Sequence, residues 1–275
     1  MPTNQELKDI EIRLLLEAIN EQYGYDLREY ARASLERRID KALRDFHFKT
    51  ISYLQERVLH DPAVMRRLLN AISVDTTAMF RDPRFYTAFR QKVAPLLKAQ
   101  NHFRLWHAGC ASGEEVYSMA IVLEEEGLYD KARLYATDLN ESLLEEAKAG
   151  IYPLQSMREY TENYIAAGGT REFSTYYTAK YDNALLRPAL KKNIVWSQHN
   201  LVTDASFNEF QVILCRNVMI YFNQSLQNRV HELLYESLAV GGILALGEKE
   251  SLKFTPHEVD YAVVDEREKM YRRVR

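Results

Sequence analysis

Apolar residues recur at three- and four-residue intervals through the first 75 positions, after which the rhythm changes. Over residues 6–23, Leu7, Ile10, Leu14, Leu15, Ala18 and Ile19 keep helical spacing, and Gly24 follows as a stop signal. Leu35, Ile39, Leu43 and Phe46 share one face of a second helix over residues 27–48. A third helix over 52–60 closes at Asp61-Pro62, where Asp61 suits the N-cap and Pro62 the opening of a fourth helix towards Ile72. No strand pattern occurs in this stretch, so residues 1–75 are expected to form a small all-helical domain.

A second rhythm begins at Phe103. Strand-like segments at 103–108, 133–138, 210–215 and 243–246 alternate with helix-like segments at 114–126, 140–149 and 224–238. That alternation predicts an α/β fold over residues 76–275, with a parallel, doubly wound, Rossmann-like sheet. Residues 151–195 interrupt it. There, segments 176–181, 184–187 and 193–196, with a turn at Asp182-Asn183, read as an inserted antiparallel ribbon, a small β-subdomain.

Composition narrows the function classes. Apolar residues make up 47% of the 275 and aromatic ones 11%, enough for a sizeable core. Lys and Arg number 36 against 39 Asp and Glu, so no global field draws the chain to nucleic acid or to a membrane surface. The two cysteines, Cys110 and Cys215, lack metal-ligand spacing and are too few for a disulfide framework. No metal is expected. No segment reaches the ~20 apolar residues a bilayer span needs, and the N-terminus lacks a secretory pattern, so a cytoplasmic location is the expectation.

Candidate chemistry collects at strand ends. Residues 106–115, Trp-His-Ala-Gly-Cys-Ala-Ser-Gly-Glu-Glu, join a strand to a helix through a turn bounded by Gly109 and Gly113. Such a turn brings a nucleotide-like ligand to a helix N-terminus, and glycines let the backbone approach it. The Gly-x-x-x-Gly spacing is not that of a dinucleotide site, and Glu114 and Glu115 would repel a diphosphate. Both acids suit a cation, and S-adenosylmethionine carries an ammonium and a sulfonium. Asp138, at the end of the second strand, is placed to bind a ribose diol; capping the next helix is its other reading, although Asn140 can serve there. Asn200 offers an amide for an adenine edge, or else a turn.

Four motifs in order resemble the CheR-type chemoreceptor methyltransferases: Thr-Ala-Met-Phe-Arg-Asp at 77–82, Gly-Cys-Ala-Ser-Gly-Glu-Glu-Val-Tyr-Ser at 109–118, Ala-Thr-Asp-Leu at 136–139, and Cys-Arg-Asn-Val-Met-Ile-Tyr-Phe at 215–222. The resemblance implies S-adenosylmethionine as cofactor, S-adenosylhomocysteine as product and receptor glutamate carboxylates as methyl acceptors. It implies that Asp75, Thr77, Arg81, Gly109, Glu115 (with Glu114 as second choice), Asp138, Asn200, Leu201, Arg216 and Asn217 contact the cofactor. Arg81 and Tyr221 would be catalytic, Arg81 clamping a carboxylate and Tyr221 lying beside the transferring methyl. An ion pair with Asp82 or Asp75 is the plainer reading of an isolated Arg81. The basic helix face of Arg37, Arg38, Lys41 and Arg44 would dock on the receptor's cytoplasmic helical bundle, or else is an ordinary solvated face.

Two departures from the family pattern stand out. Asp75 occupies a position where the pattern has Asn, and Glu248-Lys249-Glu250 replaces a Gly-His-Ser-Glu-like stretch. The ribbon is short for binding a receptor C-terminal pentapeptide, so tethering is not expected. A monomer is. A same-fold methyltransferase with another substrate and a cofactor-binding regulatory module without turnover are the competing readings, with a dehydrogenase more distant.

Overall fold

The computed structural model describes residues 3–73 and 77–275, and the chain divides into two compact units. The first holds the N-terminal helices together with Val202–Asp204 and Tyr221–Arg229. Its helices are α1 (Asn4–Tyr23), α2 (Arg32–Phe46), α3 (Ile51–His60) and α4 (Pro62–Ile72). Thr3 and Glu6 form a reciprocal capping box on α1, Gly24 ends it in the left-handed region, and Asp61 caps α4 ahead of Pro62. Buried aliphatic residues from all four helices, among them Leu15, Ile39, Leu54 and Leu68, make this unit's core.

The second expected helix starts later than residue 27. Asp26 accepts the Arg28 N–H at 3.2 Å, a local turn that competes with helix. The backbone of 29–31 is meanwhile bonded to that of 221–223.

In the second unit, α5 (Pro83–Ala88) passes through a π-helical turn into α6 (Ala94–Lys98). The sheet follows: β1 (Phe103–Ala108), α7 (Glu114–Glu125), β2 (Ala132–Asp138), α8 (Glu141–Ala149), β3 (Ile151–Pro153), α9 (Met157–Ala166), β4 (Tyr177–Lys180), β5 (Asn183–Leu186), β6 (Ile194–Gln198), β7 (Phe210–Cys215), α10 (Gln224–Ser237), β8 (Leu238–Leu246), β9 (Tyr261–Asp265) and β10 (Met270–Arg273). The main sheet runs β6-β2-β1-β7-β8-β10-β9. The first five strands are parallel, whereas β10 and β9 are antiparallel, so the sheet is mixed and not wholly parallel as its rhythm suggested.

A second sheet, β3-β5-β4, is the antiparallel subdomain. Residues 193–196, expected in that ribbon, instead belong to β6, which pairs in parallel with β2 from Leu134↔Ile194 to Asp138↔Gln198. The ribbon's third strand is β3. Its three residues are too few to show an alternating pattern.

The chain order along the parallel strands reverses at β1, whose neighbours are β2 and β7. Ligands of open α/β sheets bind beyond the carboxyl ends of the strands at such a switch point. Three segments meet that description here: the turn after β1, the end of β2 and the residues after β7.

Candidate functional site

The turn after β1 is built from left-handed backbone. Gly109, Ala111 and Gly113 all have positive φ, at 76°, 46° and 91°. A Cβ on Gly109 would lie 2.6 Å from Val218, and one on Gly113 2.8 Å from Ala147. These glycines are thus required by the left-handed backbone and by protein packing, a different reason from the close ligand approach expected of them. The N–H groups of Gly109 and Cys110 both donate to the Thr137 carbonyl at 2.9 Å, tying the turn to the end of β2.

Asp138 continues that connection. Its Oδ2 accepts the Ala111 N–H at 2.8 Å and its Oδ1 the Asn140 N–H at 2.9 Å. Burial pushes the Asp138 carboxyl up, and these bonds pull against it. Asn140 itself caps α8 by accepting the Ser142 N–H at 3.0 Å, so the capping role falls there. A carboxylate offers about four acceptor directions, leaving Asp138 capacity for hydroxyl donors. The His199 N–H donates to the Asp138 carbonyl at 3.2 Å, bringing the end of β6, with buried Asn200 and Leu201, beside the end of β2.

The two acids at the start of α7 part company. Glu114 is buried and accepts the Ser112 hydroxyl at 2.8 Å, and burial raises its carboxyl. Glu115 pairs with His107 Nδ1 at 2.9 Å through one oxygen and with Arg216 at 3.0 Å through the other. Burial alone would push Glu115 up. The His107 hydrogen bond and the Arg216 charge outweigh it and hold the carboxyl below its usual range. Arg216 also reaches Asp82 at 2.9 Å, and its guanidinium lies 4.0 Å from the Phe85 ring centroid. This buried Arg between two carboxylates fixes the first residue after β7 against the start of α7 and of α5. A cavity of about 210 Å³ opens beside it, bordered by Asp82, Arg84, Glu248, Arg267 and Glu268.

The segment 77–82 is held on α7. Phe80 N–H donates to the Ser118 hydroxyl at 2.8 Å, and that hydroxyl donates to the Glu114 carbonyl at 2.7 Å. Phe80 is fully buried against Tyr86 and Tyr164, and both Phe80 and Asp82 have positive φ, 54° and 57°. Such backbone in bulky residues persists only where surroundings over-determine it, and it clusters at functional sites. Thr77 and Arg81, both half-buried, belong to this segment. Asp75 lies outside the described residues. Tyr221 falls in the helical unit, on the short turn Met219–Tyr221.

Sequence reasoning missed the role of Glu250. Its carboxylate accepts backbone N–H groups of Asn217 and Val218 at 2.9 Å, of Met219 at 2.7 Å and of Gly247 at 2.6 Å. Asn217, at φ 62°, is thereby held in the left-handed region immediately after Arg216. His107 was missed as well. No short-range signal marks either residue, and in the sequence Glu250 stands only as part of the stretch Glu248-Lys249-Glu250 that departs from the family pattern.

A family model described as "CheR methyltransferase, SAM binding domain" matches residues 75–268, and one described as "CheR methyltransferase, all-alpha domain" matches residues 10–73. The chain belongs to the CheR methyltransferase family. It is 49% identical to Cher3 of Pseudomonas putida over 98% of this chain and 99% of that protein. It is 28% identical to a chemotaxis protein methyltransferase of Listeria monocytogenes, covering 85% of this chain and 87% of that one. With chemotaxis protein methyltransferase 1 of Pseudomonas aeruginosa it shares 29% identity over 80% of this chain and 82% of that one.

A CheR methyltransferase uses S-adenosylmethionine, and the donor set fits it. Asp138 and Glu115 present carboxylates suited to a diol and an ammonium, while nothing in the turn offsets a diphosphate's charge. Among the described residues there is no group of three or more His, Cys, Asp or Glu able to hold a metal, and no helix long and apolar enough to cross a membrane.

Proposed function

We propose that this CheR methyltransferase methylates glutamate side chains on the cytoplasmic helical bundle of chemoreceptors, leaving methyl esters and S-adenosylhomocysteine, in sensory adaptation. The observation that carries the reading is the Asp138 and Glu115–Arg216–Asp82 constellation at the switch point. When bound, S-adenosylmethionine supplies an electrophilic methyl group on a sulfonium.

The protein's task is alignment. The acceptor carboxylate is ionised at neutral pH, its reference pKa being about 4.3, so no general base is needed. Nor is a protein nucleophile: Cys110 and Cys215 are buried, and burial pushes both thiols up. Asp138 accepts the ribose hydroxyls, Asn200 and Leu201 border the adenine, and Glu115 takes the ammonium of the methionine end. Arg216 orients Glu115, with Gly109, Thr77 and Asn217 lining the cofactor and Asp75 contributing from the same segment as Thr77. Arg81 clamps the acceptor carboxylate bidentately, and Tyr221 orients it by a hydrogen bond.

The exposed Arg37, Lys41 and Arg44 of α2 attract the receptor's acidic helices. Arg38, from the same helix, is half-buried. The enzyme acts in the cytoplasm as a monomer.

The test is transfer of labelled methyl to purified receptor cytoplasmic fragments by wild type and Arg81→Ala. Base-labile label lost in the variant is the expected result. Cofactor binding without label on any fragment would overturn the substrate assignment.

A further inference from the structure

Tyr221 is gripped by the helical unit on backbone and side chain alike. The Ala31 N–H donates to the Tyr221 carbonyl at 2.7 Å, and Tyr30 forms an isolated antiparallel bridge with Phe222. The Tyr30 and Phe222 rings meet edge-on at 5.0 Å. One residue further, the Asn223 N–H donates to the Glu29 carbonyl at 2.9 Å and its side-chain amide to the Glu29 carboxylate at 2.8 Å. The chain at Tyr221 and in the two residues after it is therefore fixed.

The ring has its own support. The Arg38 guanidinium carbon lies 4.8 Å from the centroid of the Tyr221 ring. Arg38 also donates to the carbonyl of Ile72, the last residue of α4. A helix C-terminus presents unpaired carbonyls and the negative end of the dipole, so it anchors a cation well. The guanidinium donates to that carbonyl and lies over the aromatic ring, and the point charge of a lysine has no planar fork with which to make both contacts in this way. Its neighbours on α2 behave differently: Arg37, Lys41 and Arg44 are exposed.

We propose that Arg38 is a positioning residue for Tyr221, fixing the plane of the phenol and the direction of its hydroxyl, and is not part of the receptor-docking face. This rests on the assignment of Tyr221 to methyl transfer. It gives α2 two separate tasks: residues on its exposed face attract the substrate, while Arg38 holds an aromatic ring that the transfer step uses. A ring free to swing would align the acceptor less often, and misplacement of a positioning group by about 1 Å can cost roughly 100-fold in rate.

The experiment uses the full chain, receptor cytoplasmic fragments and labelled S-adenosylmethionine, with kcat and KM for the fragment measured at about 50 and 300 mM salt. Arg38→Gln and Arg38→Lys should lower kcat by roughly 10- to 100-fold with KM for the fragment unchanged at both salt concentrations. In a Tyr221→Phe background Arg38→Gln should add little further loss, because both changes remove one function. Arg37→Gln combined with Lys41→Gln and Arg44→Gln should instead raise KM, more so at low salt.

A salt-dependent rise in KM for Arg38→Gln with wild-type kcat would overturn the proposal and return Arg38 to the docking face. Additive losses in the double variant would overturn it too. A wild-type kcat for Tyr221→Phe would remove the Tyr221 assignment itself, whereas a slow Tyr221→Phe beside a fully active Arg38→Gln would remove only the role of Arg38. Arg38→Lys keeps a donor for the Ile72 carbonyl, and its melting temperature and S-adenosylhomocysteine affinity separate loss of folding from loss of positioning.

Discussion

At Glu250 two carboxylate oxygens accept four backbone N–H groups, three of them from consecutive residues of the turn after β7. Burial pushes its carboxyl up while these bonds oppose the shift. In Glu250→Gln one oxygen becomes an NH₂ that faces N–H donors, leaving buried donors unpaired at about 1–3 kcal/mol each. The turn carrying Arg216 and Asn217 should relax, and S-adenosylhomocysteine affinity should fall by roughly tenfold or more, read by isothermal titration calorimetry. Affinity within twofold of wild type would show that Glu250 leaves those residues where they are. The position of Asp138 at a strand end beside the glycine turn was legible in the sequence, because a strand, a glycine turn and an acid stand at a recognisable interval. The part played by Glu250 was not, because it is made with backbone groups more than 30 positions away in the chain, and main-chain N–H groups carry no residue identity.

Among elements, those with strong periodicity were readable: α1, α3, α4, α7, β1, β2 and β7 lie within a residue or two of their expected bounds. The weaker ones escaped. The α5–α6 stretch opens on a left-handed Asp82 followed by Pro83, and the half-exposed β9–β10 hairpin keeps no clean alternation. β6 was misassigned because an apolar run of that length fits either sheet until its partner is known.

The joint between the ribbon and the main fold is a buried polar knot that periodicity does not reveal. Glu125, at the end of α7, is bonded to Arg90 and the Tyr164 hydroxyl, and at 3.0 Å to the Thr170 N–H and the Tyr176 hydroxyl. Its side chain is only 1% exposed. Glu125→Ala would leave Arg90 its second partner, Glu126 at 3.3 Å, but would take the acceptor from the Tyr164 and Tyr176 hydroxyls and the Thr170 N–H, an effect of about 3 kcal/mol. The melting temperature should fall by roughly 6–15 °C, read by differential scanning calorimetry. A change under 2 °C would mean that water substitutes for the carboxylate.

For the molecule as a whole, acid should be destabilising through a buried histidine that is not itself a member of the constellation at the switch point. Burial pushes His231 down to about 4, and the neighbouring His257 acts in the same direction. The unfolded chain protonates this imidazole near pH 6.5, so between about pH 6.5 and 4 the unfolded state binds more protons and stability falls as pH falls. The expected loss is roughly 3 kcal/mol across that window. His231→Gln should flatten this part of the curve in denaturant titrations, and an unchanged slope would place the acid lability elsewhere.

The strip Tyr221–Arg229, which the compact helical unit includes, is synthesised some 150 residues after α4. On the ribosome, the N-terminal helices therefore emerge and wait, with the surface that receives Tyr221 and Phe222 uncovered, until nearly all of β1–β7 has appeared. Arg38 meets its aromatic partner only near the end of translation, so the nascent chain can complete the helical unit only after most of the parallel sheet has been made.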